Sequence, residues 1–522
     1  MSKASATAAE LLAREDFGTL SEMVAAHAAE RPQHAAVIQD GNTLTYAQLD
    51  ARADRVAAAL QRDGAKPGGS IAIVSATLPD YVALFVGALR AGVAVAPLPP
   101  SATPEQIVGM AQDSDAQHLF WDGANEAALA ALADRLPKRR IRIDTDALKQ
   151  WLAPECTEPE AVAVTPDMPF NIIYSSGTTG IPKGIVQPHR MRWLHMQRAN
   201  AHGYDKHTIT LISTPLYSNT TLVSLFPTLA AGGTVVLMAK FDVVRYLELA
   251  EKHRITHTML VPVQYQRIMA HPDFDKYDLS SFRAKFCTSA PFSAALKADI
   301  LKRWPGRLVE YYGMTEGGGT CVLLAHEHPD KLHTVGQPAP GHDIRIIDEQ
   351  GRELPPGEVG EVVGSSGAIM THYHKQPGKT AEAEWYDSTG KRFIRTGDMG
   401  RFDKDGFLQL MDRRKDMIIS GGFNIYPSDL EAVLRQHEAV ADVAVVGVPS
   451  EQWGETPVGF VVKKPDALIS EAELLAWANG KLGKTQRLSA IEFRDTLPRS
   501  AIGKVLKREL RDDYAARAKQ TA

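Results

Sequence analysis

Short β-rich runs alternate with amphipathic helical stretches over roughly the first four hundred residues, and this alternation narrows the fold more than any other feature. Residues 71–74, 93–96, 208–212 and 234–237 are strings of Ile, Val, Ala, Thr and Leu that read as buried strands. Helical patterns fill 46–62 and 81–91, and Gly92 is placed to cap the second of these. Strands separated by helices return to a sheet in parallel. The expected architecture is therefore α/β, with a large N-terminal domain of mixed, mostly parallel α/β subdomains.

The texture changes after Asp412, where the charged cluster Arg413-Arg414-Lys415-Asp416 precedes an apolar run at 417–419 and a turn at Gly421-Gly422. Ser428 with Glu431 forms a predicted capping box opening a helix to about His437, and Ser470 with Glu473 opens another. Strand-like segments at 443–446 and 458–462 lie between them. This pattern predicts a small, mobile α+β C-terminal domain. The division is placed at 1–412 and 413–522, consistent with a length of 522 residues that is too great for one simple core. No internal repeat or heptad is visible.

Charge excludes some partners. With 58 basic and 62 acidic residues the net charge is −4, which gives no footprint for nucleic acid or an acidic membrane surface. Cys156, Cys287 and Cys321 are too widely spaced for a disulfide framework or a zinc site, and each is expected to be a buried small hydrophobe. Residues 1–17 lack the apolar core of a signal peptide, and an apolar stretch such as 81–89 stops at Arg90, too short to span a bilayer. A cytoplasmic protein is expected.

Chemistry first shows at Tyr174-Ser175-Ser176-Gly177-Thr178-Thr179-Gly180-Ile181-Pro182-Lys183-Gly184, directly after the strand-like 170–173. Glycines let backbone wrap an anion, while N–H groups and Ser/Thr hydroxyls donate to it. Lys183 adds a point charge suited to phosphate. The run departs from the Walker pattern, since only Thr178 and Thr179 separate Gly177 from Gly180 and Gly184 follows the lysine. By composition alone it could also be a flexible connector.

Other segments supply what ATP chemistry needs. Tyr311-Tyr312-Gly313-Met314-Thr315-Glu316 offers an aromatic plane, a hydroxyl and a carboxylate. Phe393-Ile394-Arg395-Thr396-Gly397-Asp398 ends in an acid after a tight turn, and Pro498-Arg499-Ser500-Ala501-Ile502-Gly503-Lys504 carries a lysine on a glycine-preceded loop. Each alone is commoner as structure than as function. In this order and spacing they resemble the adenylate-forming superfamily of acyl-CoA ligases, adenylation domains and luciferases. The likeness extends to Leu44-Thr45-Tyr46, Leu89-Arg90-Ala91-Gly92, Thr214-Pro215-Leu216-Tyr217 and the segment 415–422.

That resemblance implies a two-step ligase using ATP, Mg2+ and coenzyme A, in which an acyl-adenylate forms, the C-terminal domain rotates and a thiol displaces AMP. It implies that Ser175, Ser176, Gly177, Thr178, Thr179, Gly180 and Lys183 hold the β- and γ-phosphates. Thr315 would bond the α-phosphate, and Glu316 would position Mg2+. Ser289, Ala290, Pro291 and Tyr312 would sandwich adenine, Asp398 would take the ribose hydroxyls, and Arg413 would lie beside the ribose and phosphate. Lys504 would bridge carboxylate and α-phosphate in the first step only. Lys415 would be the hinge, with Gly421 and Gly422 facing a coenzyme A tunnel.

The implied acyl pocket comprises Tyr217, Ser218, Thr288, Gly317 and Gly318, where successive glycines would leave room for a flat ring or an extended chain. Ser218 stands where relatives commonly carry His, which counts against a luciferase-like oxygenase. No aspartate of the kind that pairs an amino-acid ammonium is present in that segment, and no carrier-attachment motif follows Lys504. The expected substrate is an apolar monocarboxylic acid, aryl or phenylpropanoid (4-coumarate-like) before medium-chain fatty. A carrier-loading acyl-AMP ligase and a non-catalytic nucleotide-binding relative are the rival readings. The expected partners are the small-molecule acid, ATP and coenzyme A, with no nucleic acid or membrane span, and a homodimer is left open.

Overall fold

The computed structural model describes residues 6–175, 183–413, 416–420, 423–450, 452–465, 467–483, 486–500 and 503–521. The chain divides into two compact units. The first comprises 1–333, 338–343 and 364–394; the second comprises 334–337, 344–363 and 395–522.

Two sheets organise the first unit. In one, the described strands run in the order His372–Tyr373, Lys183–Pro188, Pro169–Ser175, Ala94–Leu98, Ser70–Val74, Ala116–Trp121, Arg139–Arg142. Pairing is parallel from Pro169–Ser175 onward and antiparallel on the other side, where a hairpin adds the strand that follows. Ser70–Val74 and Ala94–Leu98 are buried at every residue, as strands covered on both faces must be. In the other sheet, strands Arg307–Tyr312, Ala284–Cys287, His257–Leu260, Ile209–Ile212, Thr234–Leu237 and Ala35–Gln39 are successive parallel neighbours, and Cys321–Leu324 and Asn42–Thr45 pair antiparallel at the two ends of this run. The α/β expectation holds.

Local chemistry explains the helices between them. Thr45 and Gln48 form a reciprocal capping box at the start of Tyr46–Arg62. Pro79–Arg90 starts on a proline and ends with Gly92 at φ 69°, the left-handed conformation that glycine adopts without cost. Gly87 lets these two helices meet closely, since a Cβ there would lie 2.5 Å from that of Val56. Cys287 and Cys321 are buried, but Cys156 is exposed at φ 61°, in a polar connecting segment where no core reaches it.

In the second unit, the strands Val440–Ser450 and Gly454–Lys463 form a long antiparallel hairpin. Ala490–Phe493 joins it in parallel, and Ile418–Ser420 pairs through Ser420 and Gly454. The capping box at Ser470 is present as expected. The one expected at Ser428 is not. Its helix, Pro427–Leu434, begins two residues before the start such a cap would give, with proline in its first turn and no side-chain cap bond. Glu431 is instead drawn inward, accepting from Val445 N–H at 3.0 Å and pairing with Lys507 and Arg435. Burial pushes its pKa up, but those two cations and the backbone bond more than offset it and leave it below its usual value. Among the described residues, no helix is long and apolar enough to cross a membrane.

Candidate active site

The run expected to hold phosphate is flanked by two paired strands. Pro169–Ser175 pairs antiparallel with Lys183–Pro188, bringing Ser175 opposite Lys183 and Tyr174 opposite Gly184. Ser176, Gly177, Thr178, Thr179 and Gly180 lie between these strands, outside the described residues. Tyr174 anchors the hairpin by donating to Asp113 at 2.7 Å, and burial first, then that carboxylate, holds its phenol protonated.

Lys183 does not stand alone. Its ammonium lies 4.7 Å from the ring centroid of Tyr373, on the strand that pairs with the far side of the hairpin. The Tyr373 hydroxyl donates to Glu316 Oε1 at 2.7 Å. Burial and the neighbouring carboxylate raise the Tyr373 pKa, so the phenol keeps the proton it donates. One tyrosine therefore spaces a cation from the carboxylate expected to hold a metal. Nothing in the sequence singled it out, because it is a lone residue 57 positions from its partner.

Glu316 sits on a segment fastened to a second stretch of backbone. Met370 N–H donates to the Glu316 carbonyl at 2.7 Å, Gly318 N–H to Ala368 O at 3.0 Å, and Gly317 bridges Ile369. Gly317 and Gly318 have φ 74° and 87°, and a Cβ on them would fall 2.2 Å from Ala368 O and 2.6 Å from Gly364 O. On that side the room left by the missing side chains is filled by backbone, so these glycines serve close packing. Gln187, another residue sequence reasoning missed, donates to the Thr315 carbonyl at 2.6 Å.

Parallel strands bring the remaining groups of this unit to one edge. Ile209–Ile212, Ala284–Cys287 and Arg307–Tyr312 run in the same direction, so the chain leaving their carboxyl ends carries Tyr217 and Ser218, then Thr288, Ser289, Ala290 and Pro291, then Thr315 and Glu316, with Tyr312 closing its strand. Ser289 takes φ 83°, unusual for a residue with a side chain, and its hydroxyl shares a 2.5 Å hydrogen bond with Thr220. That bond links the turn expected to hold adenine to the segment expected to line the acyl pocket. Burial raises the Tyr217 pKa, opposed by a hydrogen bond with Ser101.

In the second unit, Gly397 turns at φ 70°, and Asp398 follows with its N–H bonded to Thr396 Oγ1 at 3.0 Å. Asp398 stands opposite Arg413 in the antiparallel register; the Arg413 side chain lies outside the description. Lys504 is exposed on a tight loop. Ser500 N–H donates to the Lys504 carbonyl at 2.8 Å, and Ser500 Oγ accepts from Lys504 N–H at 3.2 Å. Arg499 holds the Gly503 carbonyl at 2.7 Å and pairs with Asp442 at 2.5 Å. Lys415, Gly421 and Gly422 fall outside the described residues.

The AMP-binding enzyme profile matches residues 24–374, and the AMP-binding enzyme C-terminal domain profile matches 429–504. The chain belongs to the AMP-binding enzyme family. Members at similar length include a fatty acid–[acyl-carrier-protein] ligase, ScoC, of Streptomyces coeruleorubidus, 33% identical over 95% of this chain and 96% of that one. A feruloyl-CoA synthase of an Amycolatopsis species is 34% identical over 92% and 96%. The 4-coumarate–CoA ligase 2 of Nicotiana tabacum is 31% identical over 90% of each chain. Among solved structures, ATP-bound MatB of Rhodopseudomonas palustris matches with TM-score 0.85 and 28% identity, covering 95% of this chain and 99% of that one. The first profile covers the run 174–184 and the run 311–316, the second ends at Lys504, and Asp398, Arg413 and the segment 415–422 lie in the interval between them.

Proposed function

We propose that this chain is an ATP-dependent, AMP-forming acid–thiol ligase that activates an apolar monocarboxylic acid and transfers it to coenzyme A. The observation that carries the reading is the arrangement of Lys183, Tyr373 and Glu316, a cation and a carboxylate held apart by one buried phenol at the mouth of the phosphate hairpin. Bringing an anionic acid to a triphosphate sets like charges against each other, and preorganised cations and donors offset that repulsion.

In the proposed first step a carboxylate oxygen bonds to the α-phosphorus as the bond to pyrophosphate breaks. Lys183 holds the departing phosphates, Thr315 the α-phosphate, and Lys504 bridges the acid and the α-phosphate. In the second step a thiol sulfur attacks the acyl carbon, loses its proton, and AMP departs. One Glu316 oxygen takes the Tyr373 hydroxyl and the other has no hydrogen-bond partner among the described residues. That suits Mg2+, which typically takes one or two carboxylates and completes its shell with water and phosphate oxygens. The ion would supply charge neutralisation at the phosphates.

The named relatives support an aromatic acid first, since feruloyl, 4-coumarate and indoleacetate ligases are among them, with fatty acids second. A carrier protein is the alternative acceptor, because one relative is named for that activity. The test is a panel of ferulate, 4-coumarate, indoleacetate and octanoate with ATP and Mg2+, read as CoA-dependent thioester. An aryl-CoA product is expected. Pyrophosphate release with every acid unaccompanied by thioester would move the acceptor to a carrier protein, and no acid-dependent pyrophosphate release would overturn the reading.

A further inference from the structure

Arg192 is fully buried on the helix His189–Ala199, a position whose neighbours Met191, Trp193 and Met196 are core residues. Among the described residues no carboxylate pairs with it. Its Nε donates to Asn171 Oδ1 at 3.0 Å, and its Nη2 donates to Asn219 Oδ1 at 2.8 Å and to Gln187 Oε1. Nη1 has no hydrogen-bond partner among the described residues, and the guanidinium carbon lies 5.9 Å and 5.8 Å from the ring centroids of Phe170 and Phe226. Burial lowers its pKa to about 9. A buried charge without an acid costs several kcal/mol, and an apolar side chain would serve packing better there. Packing therefore does not account for this residue.

Its effect on its neighbours does. A guanidinium can only donate, so it compels all three amides to turn their oxygens inward. Gln187 Oε1 accepts from Arg192 and from Asn171 Nδ2 at 2.8 Å. The Gln187 amide nitrogen is then forced outward, where it donates to the Thr315 carbonyl at 2.6 Å. Without the cation, a half-turn of that amide would set oxygen against oxygen. Asn219 is fixed the same way, and it opens the helix Asn219–Ala230 directly after Tyr217 and Ser218 and before Thr220, the partner of Ser289.

We infer that Arg192 is a positioning residue of the reaction, which through Gln187 sets the Thr315–Glu316 turn and through Asn219 sets the start of the acyl-pocket helix. The inference rests on the proposed ligase activity for its meaning, but its geometry has a readout that needs no turnover. Asn171 and Gln187 lie on the two strands that lead into and out of the phosphate loop, so one buried cation holds strand, strand, helix and turn in one register.

Two variants test it. Gln187→Glu keeps the volume and gives Arg192 a carboxylate, while removing the N–H that Thr315 uses. Arg192→Met removes the cation and keeps the packing. Both are expected to weaken ATP binding, measured by titration calorimetry, about tenfold, the loss of roughly one hydrogen bond to a placed group. Melting temperature is expected to stay the same or rise in Gln187→Glu, which gives the buried cation an acid, and to fall in Arg192→Met, which leaves three buried amide oxygens without their donor. In acid-dependent ATP–pyrophosphate exchange kcat should fall with the KM for coenzyme A in thioester formation unchanged. Wild-type ATP affinity in Gln187→Glu, or affinity lost in that variant only together with a fall in melting temperature, would overturn the inference. Absence of exchange in the wild type would overturn the ligase reading instead and leave the calorimetric comparison to decide this one.

Discussion

Tyr373 works at the scale of a single proton. It is buried, it faces a carboxylate, and both conditions penalise the phenolate, so the hydroxyl remains a donor to Glu316 well into the alkaline range. Removing that hydroxyl leaves Lys183 over an intact ring and frees the carboxylate to turn. Tyr373→Phe is therefore expected to lower kcat/KM for ATP about tenfold, consistent with one hydrogen bond to a charged group, with little change in melting temperature. Unchanged kcat/KM would show that the Tyr373–Glu316 bond does not matter to the reaction. Lys183 and Glu316 were legible in the sequence because each lies in a short run dense with chemistry. Tyr373, Gln187 and Arg192 were not, because each matters only through a partner that the fold supplies from elsewhere in the chain.

At the scale of elements, the sequence was read well where local rules act alone. The strands at 71–74 and 234–237 lie where their apolar runs put them, since burial on both faces leaves them little choice, and the helix at 46–62 lies where its one apolar stripe put it. The helix at Pro427 shows where such rules yield. Ser428 and Glu431 have cap spacing, but proline set the start and the second unit's core claimed the glutamate. The glycines after Glu316 are similar. They read as room for a substrate, and the structure uses them to seat one backbone against another. Gly317→Ala forces a side chain into a positive φ and against a carbonyl oxygen. It is expected to destabilise the protein by about 1–3 kcal/mol, seen as a fall in melting temperature, and to weaken ATP binding by shifting Glu316. A variant as stable as the wild type would show that the 364–370 segment gives way easily.

At the scale of the whole molecule, motif order carried more information than any one motif. A serine–glycine run, a Gly-Asp turn and a surface lysine are each ordinary; the two family profiles match the first and the last in order along the chain, with the Gly-Asp turn at 397–398 in the interval between them. The acid remains less legible, because the residues expected around it come from several loops at the carboxyl ends of parallel strands and depend on how those loops pack. The proposed division of labour along the chain is sharper. Lys504 is exposed, with its N–H bonded to Ser500 and the preceding Gly503 carbonyl held by Arg499, which pairs with Asp442, and its proposed role is in adenylate formation only. The most direct measurement compares the two half-reactions in Lys504→Ala. Acid-dependent ATP–pyrophosphate exchange is expected to fall by about 10²–10³, the usual cost of one preorganised electrostatic contact, while thioester formation from supplied acyl-adenylate and coenzyme A stays near the wild-type rate. Equal loss of both half-reactions, or loss of neither, would contradict the account.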